Sequence, residues 1–368
     1  MSDTKVPFLD LARSYLADKS ELECAALEVM RSGVYIHGEH HQSFEREFAD
    51  YLNTDYCCGV ASGTDALEIA LRSLGCRAGD EVITAANAGF YASTACLQVG
   101  AVPVYADIDE KTLTLDPSSV QAAIGPQTKF IVVTHLYGGP AAIVQLSELA
   151  QSYGIALIED CSHAHGGRVS GRCLGTFGKA GIFSFYPTKN LAALGDGGAI
   201  VTNDPEVFES VRRVRQYGWK KRYFSVGNGG RNSRLDEIQA AFLRIRLRKL
   251  DDRNEKRQYI ARRLAEACLQ SDRYRTVSVN SWENHVAHLF VVRVKNRVEC
   301  ISMLKKEGIS TCIHYPVADH RQEALVNKKW RKVNLDITEK AAEEVLSIPC
   351  NPELTEKEIA HVVRVISQ

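Results

Sequence analysis

Four short stretches of this sequence hold side chains suited to gripping and reacting with a small charged molecule. Ser62-Gly63-Thr64-Asp65 opens a helical run. Free N–H groups at a helix start bind phosphate, Gly63 permits close approach, and the hydroxyls of Ser62 and Thr64 add donors, although the same residues also make an ordinary helix cap. The apolar run 155–158 ends in Glu159-Asp160-Cys161-Ser162-His163-Ala164-His165-Gly166. A carboxylate there needs a partner, either the N–H groups of a following turn or a protonated heterocyclic nitrogen. The pair His163 and His165 lacks the further ligands that a metal site requires, so no metal is expected. Lys189, in Tyr186-Pro187-Thr188-Lys189-Asn190, stands between an apolar run and a glycine-rich one. Such a lysine can lose its proton and serve as a Schiff-base amine. Phe90 and Tyr91, in the stretch 86–93, could stack on a planar ligand or simply fill the core.

These stretches have to be carried to one place. Between residues 55 and 205, β-rich apolar runs (57–61, 81–85, 102–106, 130–134, 155–158, 181–185 and 198–202) alternate with helical patterns, which predicts an α/β fold with a mostly parallel sheet. Leu67, Ala70, Leu71 and Leu74 place a crossover helix over 63–74, and a further helix is expected around 22–30. Ligands of such sheets sit beyond the carboxyl ends of the strands, where all four stretches fall. A phosphate cradle, an aromatic plate, an acid and an amine form the set that pyridoxal 5'-phosphate (PLP) requires. Their order agrees, with Lys189 lying 29 residues after Asp160. The charged run 244–257 marks the expected boundary between a large domain, 1–245, and a smaller α+β domain, 246–368.

The chain has 368 residues, 45 Lys+Arg against 45 Asp+Glu, and 45% hydrophobic residues. Zero net charge argues against bulk attraction to nucleic acid or to an anionic membrane. No apolar run is long enough for a membrane span, and the N-terminal residues lack a signal-peptide core, so the expected compartment is the cytoplasm. Eleven cysteines without a C-x-x-C pair read as reduced thiols, mostly core filler.

Read together, the motifs resemble the DegT/DnrJ/EryC1/StrS family of nucleotide-sugar aminotransferases, over nearly the whole chain. The similar segments are 6–11 and 33–38, Ser62 to Leu67, Asp160 to Gly166, Ser184 to Asn190, Asn232 to Gln239, and His314-Tyr315-Pro316 with His320. The resemblance implies a PLP-dependent fold of type I and a homodimer with shared active sites. It implies Lys189 as Schiff-base lysine and proton carrier, Asp160 on the pyridine nitrogen, and Phe90 stacked on the ring, with Tyr91 the alternative because the segment 87–92 is one residue longer than the common form. Gly63, Thr64 and Ser184 would hold the phosphate, with Asn232 reaching it from the neighbouring subunit. His163 stands where many members have Gln, so its protonation would enter the pH profile; Ser162 replaces an Ala. Tyr186, His314, Tyr315 and His320 would meet the substrate. Of the basic run 212–222, Lys220, Lys221 and Arg222 would meet a sugar nucleotide's diphosphate, while 212–215 would form a solvated helix face. The implied reaction moves an amino group from L-glutamate to a nucleotide-linked keto-sugar. The lysine segment is most like those of members that aminate carbon 3 of dTDP-3-keto-6-deoxyhexoses; carbon 4 amination and a non-catalytic regulator are the alternatives.

Overall fold

A computed structural model describes residues 4–227, 229–277, 282 and 284–368. Its main sheet has eight strands in the spatial order Tyr56–Val60, Gly198–Thr202, Ala180–Ser184, Ala156–Asp160, Thr128–Thr134, Glu81–Ala85, Val102–Ala106 and Arg331–Lys332. Gly198–Thr202 runs antiparallel to both neighbours, and every other adjacent pair is parallel. The strands read as continuous apolar runs because both faces are covered. On one face, helices Gly63–Ser73, Tyr91–Val99 and Pro205–Val214 bury Leu67, Ile69 and Leu71 against Val82, Val132 and Ile182. On the other, helix Glu39–Leu52 presses Phe44, Phe48 and Leu52 into a core with Phe183 and Phe185. Spacings of four residues put all three on one helical face. The Phe48 ring meets those of Phe183 and Phe185 edge-on at 4.9 and 5.6 Å, which fixes the strand that leads to Lys189.

A second sheet of three antiparallel strands, Arg275–Thr276, Phe290–Arg293 and Val345–Ile348, packs with helices Leu250–Cys268, Arg297–Lys306 and Glu356–Ile366 around a separate core. The last helix is fastened by a capping box between Thr355 and Glu358. Along Leu250–Cys268 the buried stripe runs Leu250, Asn254, Arg257, Ile260, Ala261, Leu264, so two polar residues are carried inward. Among the described residues, no helix is long and apolar enough to cross a membrane. Eight of the eleven cysteines are buried; Cys24 and Cys312 are exposed and Cys76 is intermediate.

Candidate active site

The registers Thr134 to Asp160 and Asp160 to Ile182 bring the carboxyl ends of three neighbouring strands level. Beyond them opens a cavity of about 910 Å³ lined by Ser62, Gly63, Thr64, Asp160, His163, Ser184, Tyr186, Lys189, His314 and Tyr315 among others. Ser62 caps helix Gly63–Ser73, its Oγ accepting from the Asp65 N–H at 3.1 Å. The Gly63 and Thr64 N–H groups lie before the first helical bond and carry the positive end of the helix dipole. A Cβ on Gly63 would lie 2.6 Å from the Ser184 Cβ, and one on Gly198 would lie 2.5 Å from the Ser62 carbonyl. The two glycines therefore let the strand ends close around this helix start.

Asp160 is buried at the last residue of its strand. One carboxylate oxygen accepts from the Ser162 N–H at 3.0 Å, and among the described residues the other has only the Thr134 hydroxyl, at 3.5 Å. That second oxygen can take a donor from a ligand. Its neighbour Glu159 is saturated, accepting from the N–H groups of Gly175, Phe177 and Gly178 and from the His135 ring. The His135 Nδ1 accepts from the Ala141 N–H, so its Nε2 carries the proton toward Glu159. Glu159, His135 and the buried Cys161 stand close enough to hold a metal, but the bonds of this pair already use them as strand-end fasteners.

Lys189 sits in a loop held from every side. The Phe185 N–H donates to the Gly197 carbonyl and the Ala193 N–H to the Phe185 carbonyl, each at 2.8 Å. Asn190 donates to Asn254 and to the Val286 carbonyl, and its Oδ1 meets His288 at 2.9 Å. Although the Lys189 side chain reaches the cavity, protein surrounds it. This burial lowers its pKa from 10.5 to about 8, against an upward pull from Asp160. A substantial share of neutral amine near pH 8 is what a nucleophilic lysine needs.

The histidines around it are neutral. Burial, followed by Lys189, pushes His163 well below its ordinary 6.5 and His165 and His314 to about 3 and 4. The expectation that His163 protonation shapes the pH profile is thus corrected: buried beside a cationic amine, its ring stays neutral through the physiological range. His163 Nδ1 accepts from the Tyr137 N–H at 3.3 Å.

Several expected site residues lie elsewhere. Phe90 has a left-handed backbone (φ 69°) and its ring packs with Ala86, Tyr105, Leu325 and Leu335, away from the cavity, whereas the ring of Tyr91 lines it. His320 is buried beside Tyr105 and Trp330, its Nε2 bonded to Glu339 at 2.8 Å, so it does not reach the site of its own subunit. Asn232 is exposed, in an isolated bridge with Gln216. Lys220, Lys221 and Arg222 line a separate cleft of about 1160 Å³ with His37, Glu45 and Arg234. Within the run 212–215, Arg215 is not solvated but buried, donating to Glu45 at 2.5 Å and to the Gly59 carbonyl at 2.7 Å. The cavity also receives Phe8, from the similar segment 6–11 and stacked on His314 at 5.8 Å, and three residues with no motif to announce them, Arg257, His288 and Asn351. Only the helical periodicity around Leu250, Ile260 and Leu264 hinted that Arg257 turns inward.

A sheet crossed by one antiparallel strand, with a capped helix start, a buried aspartate and an enclosed lysine at its carboxyl edge, defines a PLP-dependent transferase of fold type I. More narrowly, residues 17–367 match the DegT/DnrJ/EryC1/StrS aminotransferase family, and the chain belongs to it. It is 41% identical over 364 residues to a dTDP-3-amino-3,4,6-trideoxy-alpha-D-glucose transaminase of Streptomyces venezuelae, covering 99% of this chain and 96% of the relative. It is 40% identical over 363 residues to a dTDP-3-amino-3,6-dideoxy-alpha-D-galactopyranose transaminase of Aneurinibacillus thermoaerophilus, covering 99% of each. The erythromycin biosynthesis sensory transduction protein EryC1 of Saccharopolyspora erythraea is 41% identical over 97% of this chain and 98% of its own. Among solved structures, S. venezuelae DesV in complex with a ketimine intermediate superposes with a TM-score of 0.95, at 41% identity, over 99% of this chain and 98% of that one.

Proposed function

We infer that this protein is a nucleotide-sugar 3-aminotransferase that moves an amino group from L-glutamate to a dTDP-linked 3-keto-6-deoxyhexose, giving a dTDP-3-amino-3,6-dideoxyhexose. The observation that carries the reading is the enclosed Lys189, its amine poised near pH 8, in one cavity with Asp160 and the helix start at Gly63. The residues fit PLP: a cradle without side chains at 63 and 198, and a buried carboxylate with one oxygen open to a donor. When bound, the cofactor supplies an electrophilic carbonyl and an electron sink. Gly63, Thr64 and Ser184 would hold its phosphate. Asp160 would keep a ring nitrogen protonated, and His163 would offer a neutral ring beside it. Lys189 gives up its own proton and then carries the proton to and from the substrate carbon that bears nitrogen.

Tyr186, His314 and Tyr315 form the sugar side of the cavity. The work is divided between a large domain, 1–245, and a smaller one, 246–368, in a cytoplasmic homodimer. Across its interface Asn232 and the Lys220-Lys221-Arg222 cluster serve the neighbouring site, a reading favoured by their lying outside the cavity of their own subunit. Carbon 3 is favoured by the names of the two transaminase relatives. A purely regulatory role, which the name of one relative suggests, gives no reason for an enclosed lysine with a lowered pKa.

The purified protein is expected to show a visible absorbance band that is lost in Lys189→Ala. A colourless protein that PLP cannot reconstitute would end the reading. NMR of the product formed from a dTDP-keto-sugar and glutamate gives the regiochemistry, and an amine at carbon 4 would overturn that part.

A further inference from the structure

Four arginines of the described residues are less than a tenth exposed: Arg215, Arg246, Arg257 and Arg293. Three face a carboxylate, Arg215 with Glu45 at 2.5 Å, Arg246 with Asp18 at 3.8 Å and Arg293 with Glu344 at 2.7 Å. Arg257 has no carboxylate in ion-pair contact among the described residues; Glu353, itself paired with Arg253, acts on it only from farther off. Its Nη1 donates to the carbonyls of His288 and Cys350, at 3.2 and 2.8 Å, its buried Nε has no partner, and its Nη2 makes no hydrogen bond among the described residues. A buried guanidinium left without a counter-charge is costly, so its retention calls for an anion from outside the chain. Arg257 lines the same cavity as Lys189. Arg257 bonds the His288 carbonyl, and His288 lines that cavity with both cations. An anion drawn to Arg257 therefore enters the cavity that holds the reacting amine.

The anion's chemistry follows from the geometry of the donor. A guanidinium with free N–H groups on adjacent nitrogens pairs side by side with the two oxygens of a carboxylate. The phosphate end of the cavity already has its own donors at Gly63, Thr64 and Ser184, on the main sheet, whereas Arg257 belongs to helix Leu250–Cys268. Hydroxyl-rich sugars offer no charge to meet it. We propose that Arg257 is the receptor for a carboxylate of a dicarboxylic amine donor, and so decides which amines can load the site. This rests on the aminotransferase reading given above.

The test uses holoenzyme and three small probes. L-glutamate reports donor recognition, glutarate is a dicarboxylate without an amine, and hydroxylamine attacks the cofactor without needing a carboxylate. In Arg257→Gln the rate with subsaturating glutamate is expected to fall about 100-fold, through KM, as when one member of a buried charge pair is removed. Glutarate should slow the hydroxylamine reaction of the wild type and not that of the variant, while the bare hydroxylamine rates agree within about threefold. Arg257→Lys, which keeps the charge but not the fork, should fall between. If R257Q does not fold, R257K and glutarate protection of the wild type decide the matter. Glutamate and hydroxylamine rates that fall in parallel would mean a structural role, and glutarate without effect on the wild type would mean no carboxylate site; either overturns the proposal. A wild type that binds PLP but ignores glutamate sinks this inference together with the choice of glutamate as donor, whereas one that cannot bind PLP sinks the aminotransferase reading itself.

Discussion

The titration of Lys189 in the cofactor-free protein tests the core of the argument. Burial takes its pKa from 10.5 to about 8, and Asp160 opposes that fall. At pH 7 the neutral fraction then rises from roughly 0.03% to about 10%, on the order of 300-fold. Trace labelling with acetic anhydride, followed by mass analysis of the Lys189 peptide against pH, reads that fraction directly. The wild type should give a midpoint near 8, with labelling about tenfold slower for each pH unit below it. Asp160→Asn removes the attraction that favours the ammonium, so its midpoint should move lower still. The sign matters as much as the size. A wild-type midpoint near 10.5, or a rise in the Asp160→Asn variant, would refute the picture of an amine neutralised by burial and only partly held charged by its neighbour.

Three further outcomes are expected. Gly63→Ala places a Cβ 2.6 Å from that of Ser184, so the cradle has to open, and PLP affinity measured by equilibrium dialysis should drop by about tenfold or more. His163→Gln should leave the pH dependence of the rate between 6 and 8 unchanged, because the native ring is already neutral there; a vanished limb in that window would show otherwise. Asp319 is buried, bonded to the Phe90 N–H and the Ser93 hydroxyl, and burial raises its pKa from 3.8 to about 7. Its neutral form favours the fold, a contribution present below pH 3.8 and lost as pH rises through 7. Asp319→Asn should therefore be more stable than wild type at pH 8.5, by up to about 4 kcal/mol, and by well under half of that, about 1.6 kcal/mol, at pH 5; a gain in thermal midpoint that does not grow between the two would contradict this.

How much of this was legible beforehand follows from what each residue depends on. The strands Glu81–Ala85, Val102–Ala106 and Gly198–Thr202 match the apolar runs residue for residue, because a strand buried on both faces is written in unbroken hydrophobic sequence. Asp160, Lys189 and Gly63 were readable because strand ends converge at one edge whatever the loops do. Phe90 was misplaced by a single left-handed residue at the start of helix Tyr91–Val99, which turns adjacent aromatics to different sides. Helix Glu39–Leu52 is hard to read from sequence because its buried Phe44, Phe48 and Leu52 are spread among many polar residues. Arg257 closes a charged run that reads as a domain boundary, and only its helical spacing from Leu250, Ile260 and Leu264 places it on the covered side of helix Leu250–Cys268. His320, expected from a family segment, and the Lys220 cluster, expected from a basic run, lie outside the cavity of their own subunit, because long-range packing decides which wall each reaches.

The contact of Gly198 with the main chain of Ser62 and Gly63 has a wider meaning. It fastens the far end of the lysine segment to the loop that opens helix Gly63–Ser73, so the two ends of the cofactor's seat form one rigid floor. Such a floor tolerates little sequence drift, because a single methyl group at 198 would meet main chain. Tyr186, with half its surface exposed, carries no such constraint. New sugars can therefore be recruited by changing the walls while the chemistry underneath is inherited intact, an arrangement that lets one catalytic base be fitted to many substrates.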